Sequence, residues 1–238
     1  WSSDVCSSDL TTVSEGLANR LGVRHRRVVH VVRNGIDLED LRSLDARSPW
    51  PDDGLFRVVY TGTIYDSGQD PTPLFQAVRK MLDAGEPGID RLRLVFAGKF
   101  LARLEQRLSE SGLGHITERR GFVSREESLR MQRDAGALLF LPFVSPSQDG
   151  ILTGKLFEYL ASGTPILSVG SARDPSTASL IEQSGHGCDY GADTESITTA
   201  LRRLLAAPSG PRTVDPDTLS RIDRNASNAT LLALIEGR

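Results

Sequence analysis

The sequence has few of the residues that build disulfide frameworks and metal centres. It contains two cysteines, Cys6 and Cys188, and four histidines among 238 residues. A single distant pair of cysteines makes no disulfide framework and fits a reduced compartment. The histidines have no metal-ligand spacing, and they are His25, His30, His115 and His186. We therefore expect neither a disulfide-rich domain nor a metal site.

Long apolar runs and an excess of one charge are also missing. No apolar run approaches the ~18 residues that a transmembrane helix needs. The net charge of −3 provides no basic surface for nucleic acid. The motifs G-x-S-x-G, H-E-x-x-H and G-K-S/T do not occur, which argues against serine hydrolases, zinc proteases and P-loop NTPases. The composition, 39% hydrophobic and 25% charged, is that of an ordinary globular protein.

The first ten residues, WSSDVCSSDL, differ from the rest of the chain. They begin without Met, show no hydrophobic periodicity, and resemble the translation of a common sequencing adapter. We exclude residues 1–10 from the fold as a non-native segment. A disordered polar tail is the alternative, and it leads to the same structural expectation.

From Leu55 onward, short apolar runs alternate with amphipathic stretches. Such alternation predicts a doubly wound α/β fold, a parallel sheet with helices on both faces. The predicted strands are 56–60, 91–97, 115–120, 137–141, 165–169 and 187–190. The predicted helices are 71–84, 101–111, one from Ser124, 154–163, 174–183 and 193–205, with a single amphipathic helix at 219–236. Upstream, 13–21 predicts a helix and 28–32 a strand.

Glycines follow three of the predicted strands, at Gly62, Gly98 and Gly121. Glycine allows tight turns and close approach of a ligand to the backbone. In open parallel sheets, ligands bind at the carboxyl ends of the strands. We therefore expect the binding site at this edge of the sheet.

The most informative stretch is DGILTGKLFEYLASGTPIL, residues 149–167. It predicts a glycine-rich loop, then a short helix capped by Thr153 and ended at Gly163, then a buried strand. The apolar face of the helix would consist of Leu156, Phe157, Leu160 and Ala161. Its opposite face would present Lys155, Glu158 and Ser162.

The polar face of this helix suits a nucleotide sugar. A helix N-terminus offers unpaired N–H groups to an anion, and Lys155 adds a full positive charge there. Glu158, one turn later, can accept hydrogen bonds from the hydroxyls of a sugar. Lys155 and Glu158 could also form only a solvated surface ion pair.

The segment TGKLFEYLA at 153–161 resembles the donor-binding motif of family 4 glycosyltransferases, which are retaining enzymes of the GT-B fold. The similarity is strongest to a bacterial subgroup with T-x-K-L-F-E-Y-L-A, and it points to cell-envelope or polysaccharide biosynthesis. It implies that Glu158 binds the ribose hydroxyls and that the helix N-terminus faces the diphosphate. VSEGLA at 13–18 and NGID at 34–37 are similar to the family's segments before the donor domain, although Asn34-Gly35 is also a common hairpin turn.

The resemblance implies a division of the chain and a set of partners. Residues 11–54 would be a remnant of the N-terminal acceptor domain with a linker, and residues 55–238 the donor-binding Rossmann-like domain with a C-terminal helix. The partners would be a nucleotide sugar, an unknown acceptor glycan, lipid or small molecule, and the missing N-terminal domain of the same chain. We expect a cytoplasmic location, or a peripheral one at the inner membrane face.

The implied reaction transfers a sugar from a nucleotide diphosphate to an acceptor hydroxyl with retention, and no metal or other cofactor is expected. Lys155 and Glu158 would be the catalytic residues, Lys155 acting with the amides of 154–156 on the leaving phosphate. The implied donor-binding residues are Gly62, Thr63, Lys99, Val123, Asp149, Gly150, Ile151, Leu152, Thr153, Gly154 and Leu156.

The sequence departs from the family pattern at the diphosphate and at the donor sugar. Thr63 stands where a basic residue is usual, so the diphosphate would depend on Lys155, the helix end and Lys99. Lys99 could equally be a plain surface residue. Gly150 stands where the first Glu of an E-x7-E pair is usual, with Asp149 as its acidic neighbour. Residues 121–124 would contact the base, or would simply connect a strand to a helix.

Two other functions remain open at this point. One is a GT-B sugar-nucleotide epimerase, which would need an acid/base pair that we do not find. The other is a non-catalytic nucleotide-binding α/β module. If the chain is a transferase part, we expect these residues alone to bind the donor without transferring sugar, because the acceptor would not be positioned.

Overall fold

The computed structural model describes residues 10–12, 18–19, 21–23, 28–65, 68–99, 102–143, 152–207 and 213–236. The strands are β1 (Leu10–Thr12), β2 (Val29–Val31), β3 (Phe56–Thr61), β4 (Leu92–Ala97), β5 (Thr117–Gly121), β6 (Ala137–Phe140), β7 (Ile166–Val169) and β8 (Gly187–Gly191). The helices are α1 (Leu38–Arg42), α2 (Thr72–Asp83), α3 (Ala102–Glu110), α4 (Arg125–Arg133), α5 (Gly154–Ser162), α6 (Pro175–Ser184), α7 (Thr194–Ala206), α8 (Pro216–Ile222) and α9 (Arg224–Ile235).

Six of these strands form one parallel sheet in the order β5-β4-β3-β6-β7-β8. From β3, the strands β4 and β5 follow on one side of the sheet, and β6, β7 and β8 then follow on the other side. The point between β3 and β6 where the direction reverses is where such sheets open a crevice for ligands. The sheet confirms the predicted doubly wound α/β fold.

Both faces of the sheet are buried under helices. Val58 and Tyr60 of β3 pack on one side with apolar residues of α2 and α7. Val59 packs on the other side with apolar residues of α4 and α5. Because side chains alternate along a strand, a strand buried on both faces appears in the sequence as a continuous apolar run. That is why the central strands could be predicted from the sequence.

The segment before β3 packs against the C-terminal helices. The Ile36 amide donates to the Ile222 carbonyl at 2.9 Å, and the Arg224 amide donates to the Ile36 carbonyl at 3.0 Å. A Cβ on Gly35 would lie 2.7 Å from the Ile222 carbonyl oxygen. Asn34-Gly35 is thus no hairpin turn, since the element that follows β2 is the helix α1 and glycine is needed for the contact with the C-terminal helices.

Two predicted elements differ in the structure. The terminal segment is not one helix but two, α8 followed by α9. The helix is interrupted at Asp223, whose side chain accepts from the Asn225 amide at 2.9 Å. Leu10, assigned to the excluded tail, lies in β1. Of the helix predicted at 13–21, residues 18, 19 and 21 are helical, whereas 13–17 and 20 lie outside the described residues.

The described residues contain neither a membrane-spanning helix nor a cluster of metal ligands. None of the helices described above is both long enough and apolar enough to cross a bilayer. Within the same residues, no three His, Cys, Asp or Glu side chains group together as a metal site would require.

Candidate functional site

A cleft of about 410 Å³ opens at the carboxyl ends of β3, β4 and β5. Helices α4 and α5 close its side, so it combines segments from both sides of the β3/β6 switch point. The residues that line it are Thr61, Gly62, Thr63, Ala97, Gly98, Phe122, Val123, Ser124, Arg125, Ser128, Lys155 and Glu158. The predicted residues Gly62, Thr63, Val123, Lys155 and Glu158 are therefore brought together.

The floor of the cleft depends on two glycines. Gly62 has a φ of 107° and Gly98 a φ of 142°, values that other residues rarely adopt. A Cβ on Gly98 would lie 2.2 Å from the Gly62 carbonyl oxygen. The Gly62 amide donates to the Ala97 carbonyl at 2.6 Å. Glycine is thus needed at both strand ends for the two backbones to meet, and the predicted approach of a ligand to them stays a prediction.

Helix α5 has the predicted bounds, but its start is not capped as expected. Thr153 occupies the N-cap position, yet its hydroxyl makes no capping hydrogen bond to the described residues. Gly163 ends the helix in the left-handed region, with a φ of 70°. Six of its nine residues are buried, among them Tyr159 and Ser162 as well as the predicted apolar face. Ser162 donates to the Tyr159 carbonyl at 2.8 Å and does not reach the cleft.

Lys155 places its ammonium group at the cleft floor against β3. Its Nζ lies 3.7 Å from the centre of the Tyr60 ring and 3.0 Å from where a Cβ on Gly62 would be. Burial lowers the pKa of Lys155 to about 7, and the nearby Glu158 carboxylate opposes that shift. The Lys155 ammonium can therefore lose its proton near neutral pH. A bound anion would favour the protonated, charged form.

Glu158 is held from both sides by groups of α4. Arg125 Nη1 donates to Glu158 Oε1 at 2.8 Å, and Gln132 Nε2 donates to Glu158 Oε2 at 3.1 Å. Arg125 also pairs with Asp40 of α1 at 2.8 Å. The Glu158 side chain is 19% exposed. Among the described residues its ion-pair partner is Arg125, so the simple Lys155–Glu158 surface pair is not the arrangement found.

Four residues near Glu158 were not identified from the sequence: Thr61, Arg125, Gln132 and Tyr159. Tyr159 Oη accepts from the Thr61 amide at 3.1 Å, and burial raises the pKa of Tyr159. Ser124 caps α4, because its hydroxyl accepts from the Glu127 amide at 3.1 Å, and this cap fixes where α4 begins. From that start, Arg125 and Gln132 are seven residues apart and share one face of the helix.

Several predicted donor-binding residues lie elsewhere or serve other contacts. Lys99 is exposed and lies beyond the residues that line the cleft. Leu152 is buried, and its carbonyl accepts from Asn34 Nδ2 at 3.2 Å. The Leu156 side chain is buried and its amide donates to the Thr153 carbonyl at 3.1 Å. These contacts give Leu152 and Leu156 structural roles in addition to any contact with a ligand.

Among the described residues, the start of α5 has open space in front of Gly154. Gly154 is exposed, and outside its chain neighbours and the adjoining backbone of α5 no described atom lies within 4 Å of the position that a Cβ on it would occupy. The preceding residues Asp149, Gly150 and Ile151 lie outside the described residues, so their predicted roles stay predictions.

Comparison of the whole chain with solved structures gives glycosyltransferases. An α,α-trehalose-phosphate synthase (UDP-forming) from Burkholderia vietnamiensis is similar with a TM-score of 0.69 at 17% identity, covering 97% of this chain and 62% of that one. The apo form of WaaB, a lipopolysaccharide outer core galactosyltransferase, is similar with a TM-score of 0.65 at 17% identity, covering 97% of this chain and 62% of that one. HepE from Anabaena, in complex with UDP and glucose, has a TM-score of 0.65 at 13% identity, covering 97% of this chain and 64% of that one.

The fold is that of a GT-B domain. The chain spans about 60% of the length of these neighbours. No protein-family model matches the sequence, and no curated protein matches it. Within this GT-B domain, the cleft with Lys155 and Glu158 lies at the carboxyl edge of the sheet, where its fold class binds ligands.

Proposed function

We propose that this chain is the donor-binding part of a glycosyltransferase that moves a sugar from a nucleotide diphosphate to an acceptor hydroxyl with retention. The observation that supports this most is the joint position of Lys155 and Glu158. Both side chains extend from the first turns of α5 into one cleft at the carboxyl edge of the sheet. A cation and a hydrogen-bond acceptor one helical turn apart match a diphosphate beside a ribose.

In this proposal Lys155 binds the diphosphate. Lys155 is the second residue of α5, at the end of the helix where the dipole also favours negative charge. Negative charge grows on the leaving phosphate during transfer, so a fixed cation there stabilises the transition state. Arg125, which lines the same cleft, supplies a second positive charge in a site where Thr63 provides none.

Glu158 binds the ribose hydroxyls in this proposal. Its Oε2 faces Gln132 inside the protein, and its Oε1 faces the half-exposed Arg125. A ribose hydroxyl can replace or share the contact at Oε1, because Arg125 keeps Asp40 as its other partner. The carboxylate thus changes partners without losing the contact that fixes its orientation.

The comparisons support the choice of donor. One neighbour is described as UDP-forming and another was solved with UDP and glucose. Family 4 membership, retention and transfer without a metal are parts of the proposal that rest on the motif at 153–161. The acceptor would bind outside the described residues, and the lipopolysaccharide named in the description of WaaB suggests a glycan or lipid.

Calorimetry with UDP, GDP and ADP on the 238-residue chain tests the proposal. We expect one of these diphosphates to bind and Glu158→Ala to weaken its binding roughly ten- to a hundredfold, the range for a charge-assisted hydrogen bond. Glu182→Ala is the matched control, since Glu182 lies in α6 and pairs with Arg173 at 2.6 Å. Equal affinity of the wild type and Glu158→Ala would refute the ribose assignment, and no binding of any of the three would refute the donor site.

A further inference from the structure

Gln132 is a polar residue in the interior of the protein. It lies near the end of α4 and its side chain is completely shielded from solvent, with 0% exposure. A buried amide is costly unless its polar atoms find partners. The position of Gln132 directly behind Glu158 therefore needs an explanation.

The Gln132 amide nitrogen lies near three acceptors. Nε2 is 3.0 Å from Thr61 Oγ1, 3.1 Å from Ser128 Oγ and 3.1 Å from Glu158 Oε2. An amide nitrogen has two hydrogens, so the three contacts cannot all be full hydrogen bonds at once. The carboxylate is the strongest acceptor of the three, because it alone is charged.

The orientation of the amide depends on Glu158. Gln132 Oε1 is buried without a hydrogen-bond partner among the described residues. The reversed amide would let Oε1 accept from the hydroxyls of Thr61 and Ser128, but it would set that oxygen against the Glu158 carboxylate. The observed orientation leaves an acceptor unsatisfied and keeps the donor on Glu158. An unsatisfied buried acceptor costs free energy that a purely structural amide has no reason to incur.

We infer that Gln132 is a positioning residue that fixes the Glu158 carboxylate for the ribose diol of the nucleotide. This inference rests on the proposed function, because it gives Glu158 its partner inside the protein. Gln132 binds Oε2 from the buried side and thereby directs Oε1 toward the cleft. Arg125 contacts only Oε1, the oxygen that the ligand would use.

Two ligands that differ only in the diol provide the test. Affinities for UDP and for 2′,3′-dideoxyuridine 5′-diphosphate are measured by calorimetry on the 238-residue chain, with the guanosine or adenosine pair used instead if that diphosphate binds more tightly. Gln132→Met keeps the size of the side chain and removes the donor. We expect it to weaken UDP binding by about three- to tenfold, the range for one hydrogen bond, and to leave the dideoxy ligand within about twofold.

A second variant and a control keep the result interpretable. Gln132→Leu also removes the donor and keeps an apolar side chain of similar size, so it should also lose the preference for the diol even if Gln132→Met does not fold. Gln183→Met is the matched control, since Gln183 in α6 is exposed and donates to Ser179 Oγ at 2.9 Å.

The outcomes separate this inference from the proposed function. If Glu158→Ala abolishes the preference for the diol and the Gln132 variants keep it, the inference is wrong and the proposed function stands. Equal weakening of both ligands by the Gln132 variants would show a merely structural role and overturn the inference. If the wild-type chain does not distinguish the two ligands, Glu158 does not bind a ribose, and the inference fails with that assignment.

Discussion

The helix beside the cleft and the last helix of the chain contain similar apolar residues but pack very differently. Helix α5 buries six of its nine residues. Helix α9, all twelve residues of which the structure describes, buries none of them. Its Leu232 and Ile235 are 57% and 72% exposed, whereas Leu160 of α5 is 1% exposed.

This difference explains why α5 can serve as a binding element. Because its apolar residues are fixed in the core, the rotation of the helix about its axis is also fixed. Lys155 and Glu158 then have defined positions relative to β3 and α4. Most helix stability in proteins comes from such tertiary packing rather than from intrinsic propensity. Helix α9 shows no comparable constraint from the described residues.

The largest effect that we predict is on stability, and it compares the two helices directly. Leu160→Ala should lower the free energy of unfolding by about 2–5 kcal/mol, because it removes buried methyl groups and leaves a cavity. Leu232→Ala makes the same chemical change on α9 and should stay within about 0.5 kcal/mol. Urea unfolding of the two variants measures the difference. Similar losses in both would mean that α9 is packed as firmly as α5.

The next effect concerns the charge of Lys155. Its pKa of about 7 means that the ammonium is lost above neutral pH, whereas the diphosphate needs it protonated. UDP binding should therefore take up a proton, and affinity should fall by up to about tenfold per pH unit between pH 7.5 and 9. The phosphate, with a second pKa near 6, does not titrate in that range.

Calorimetry in buffers of different ionisation enthalpy detects the proton uptake. Lys155→Met should bind UDP more weakly and show no such pH dependence. Lys80→Met is the control, since Lys80 is an exposed lysine of α2 paired with Glu195. A wild-type affinity that does not change with pH, or an unchanged slope in Lys155→Met, would remove Lys155 from the diphosphate site.

The smallest effect is expected at the exposed ion pair that joins α1 to α4. Asp40 and Arg125 meet at 2.8 Å, but both side chains are accessible to water. Asp40→Asn should change the free energy of unfolding by less than about 1 kcal/mol, as is usual for exposed pairs. Urea unfolding measures this as well. A larger loss would show that the contact between α1 and α4 is part of the core.

The features that the sequence predicted correctly have short-range signals. Apolar runs located the central strands β3, β4, β6 and β7, and the glycines after three strands located the edge with the cleft. The bounds of α5 followed from its periodicity and from Gly163. Lys155 and Glu158 could be placed on one side of α5 because three residues separate neighbours on a helix face.

The features that were missed depend on contacts between distant segments. Gln132 meets Glu158 across 26 residues of sequence, and Arg125 meets Asp40 across 85. Neither contact has a local signal, since Gln132 could as well have been a surface residue of α4. The interruption between α8 and α9 was missed because the apolar spacing continues across Asp223. Asp223 caps α9 and pairs with Ile36, and the contact with Ile36 joins segments that are far apart in the sequence.

The central claim, that Lys155 binds the phosphates and Glu158 the ribose, is tested most directly by dividing the ligand. Uridine and inorganic pyrophosphate are titrated separately into the wild-type chain, Lys155→Met and Glu158→Ala, with UDP as reference. We expect a crossed result: Glu158→Ala weakens the binding of uridine and spares that of pyrophosphate, and Lys155→Met weakens the binding of pyrophosphate and spares that of uridine. Equal effects of both variants on both fragments, or no effect on either, would contradict it.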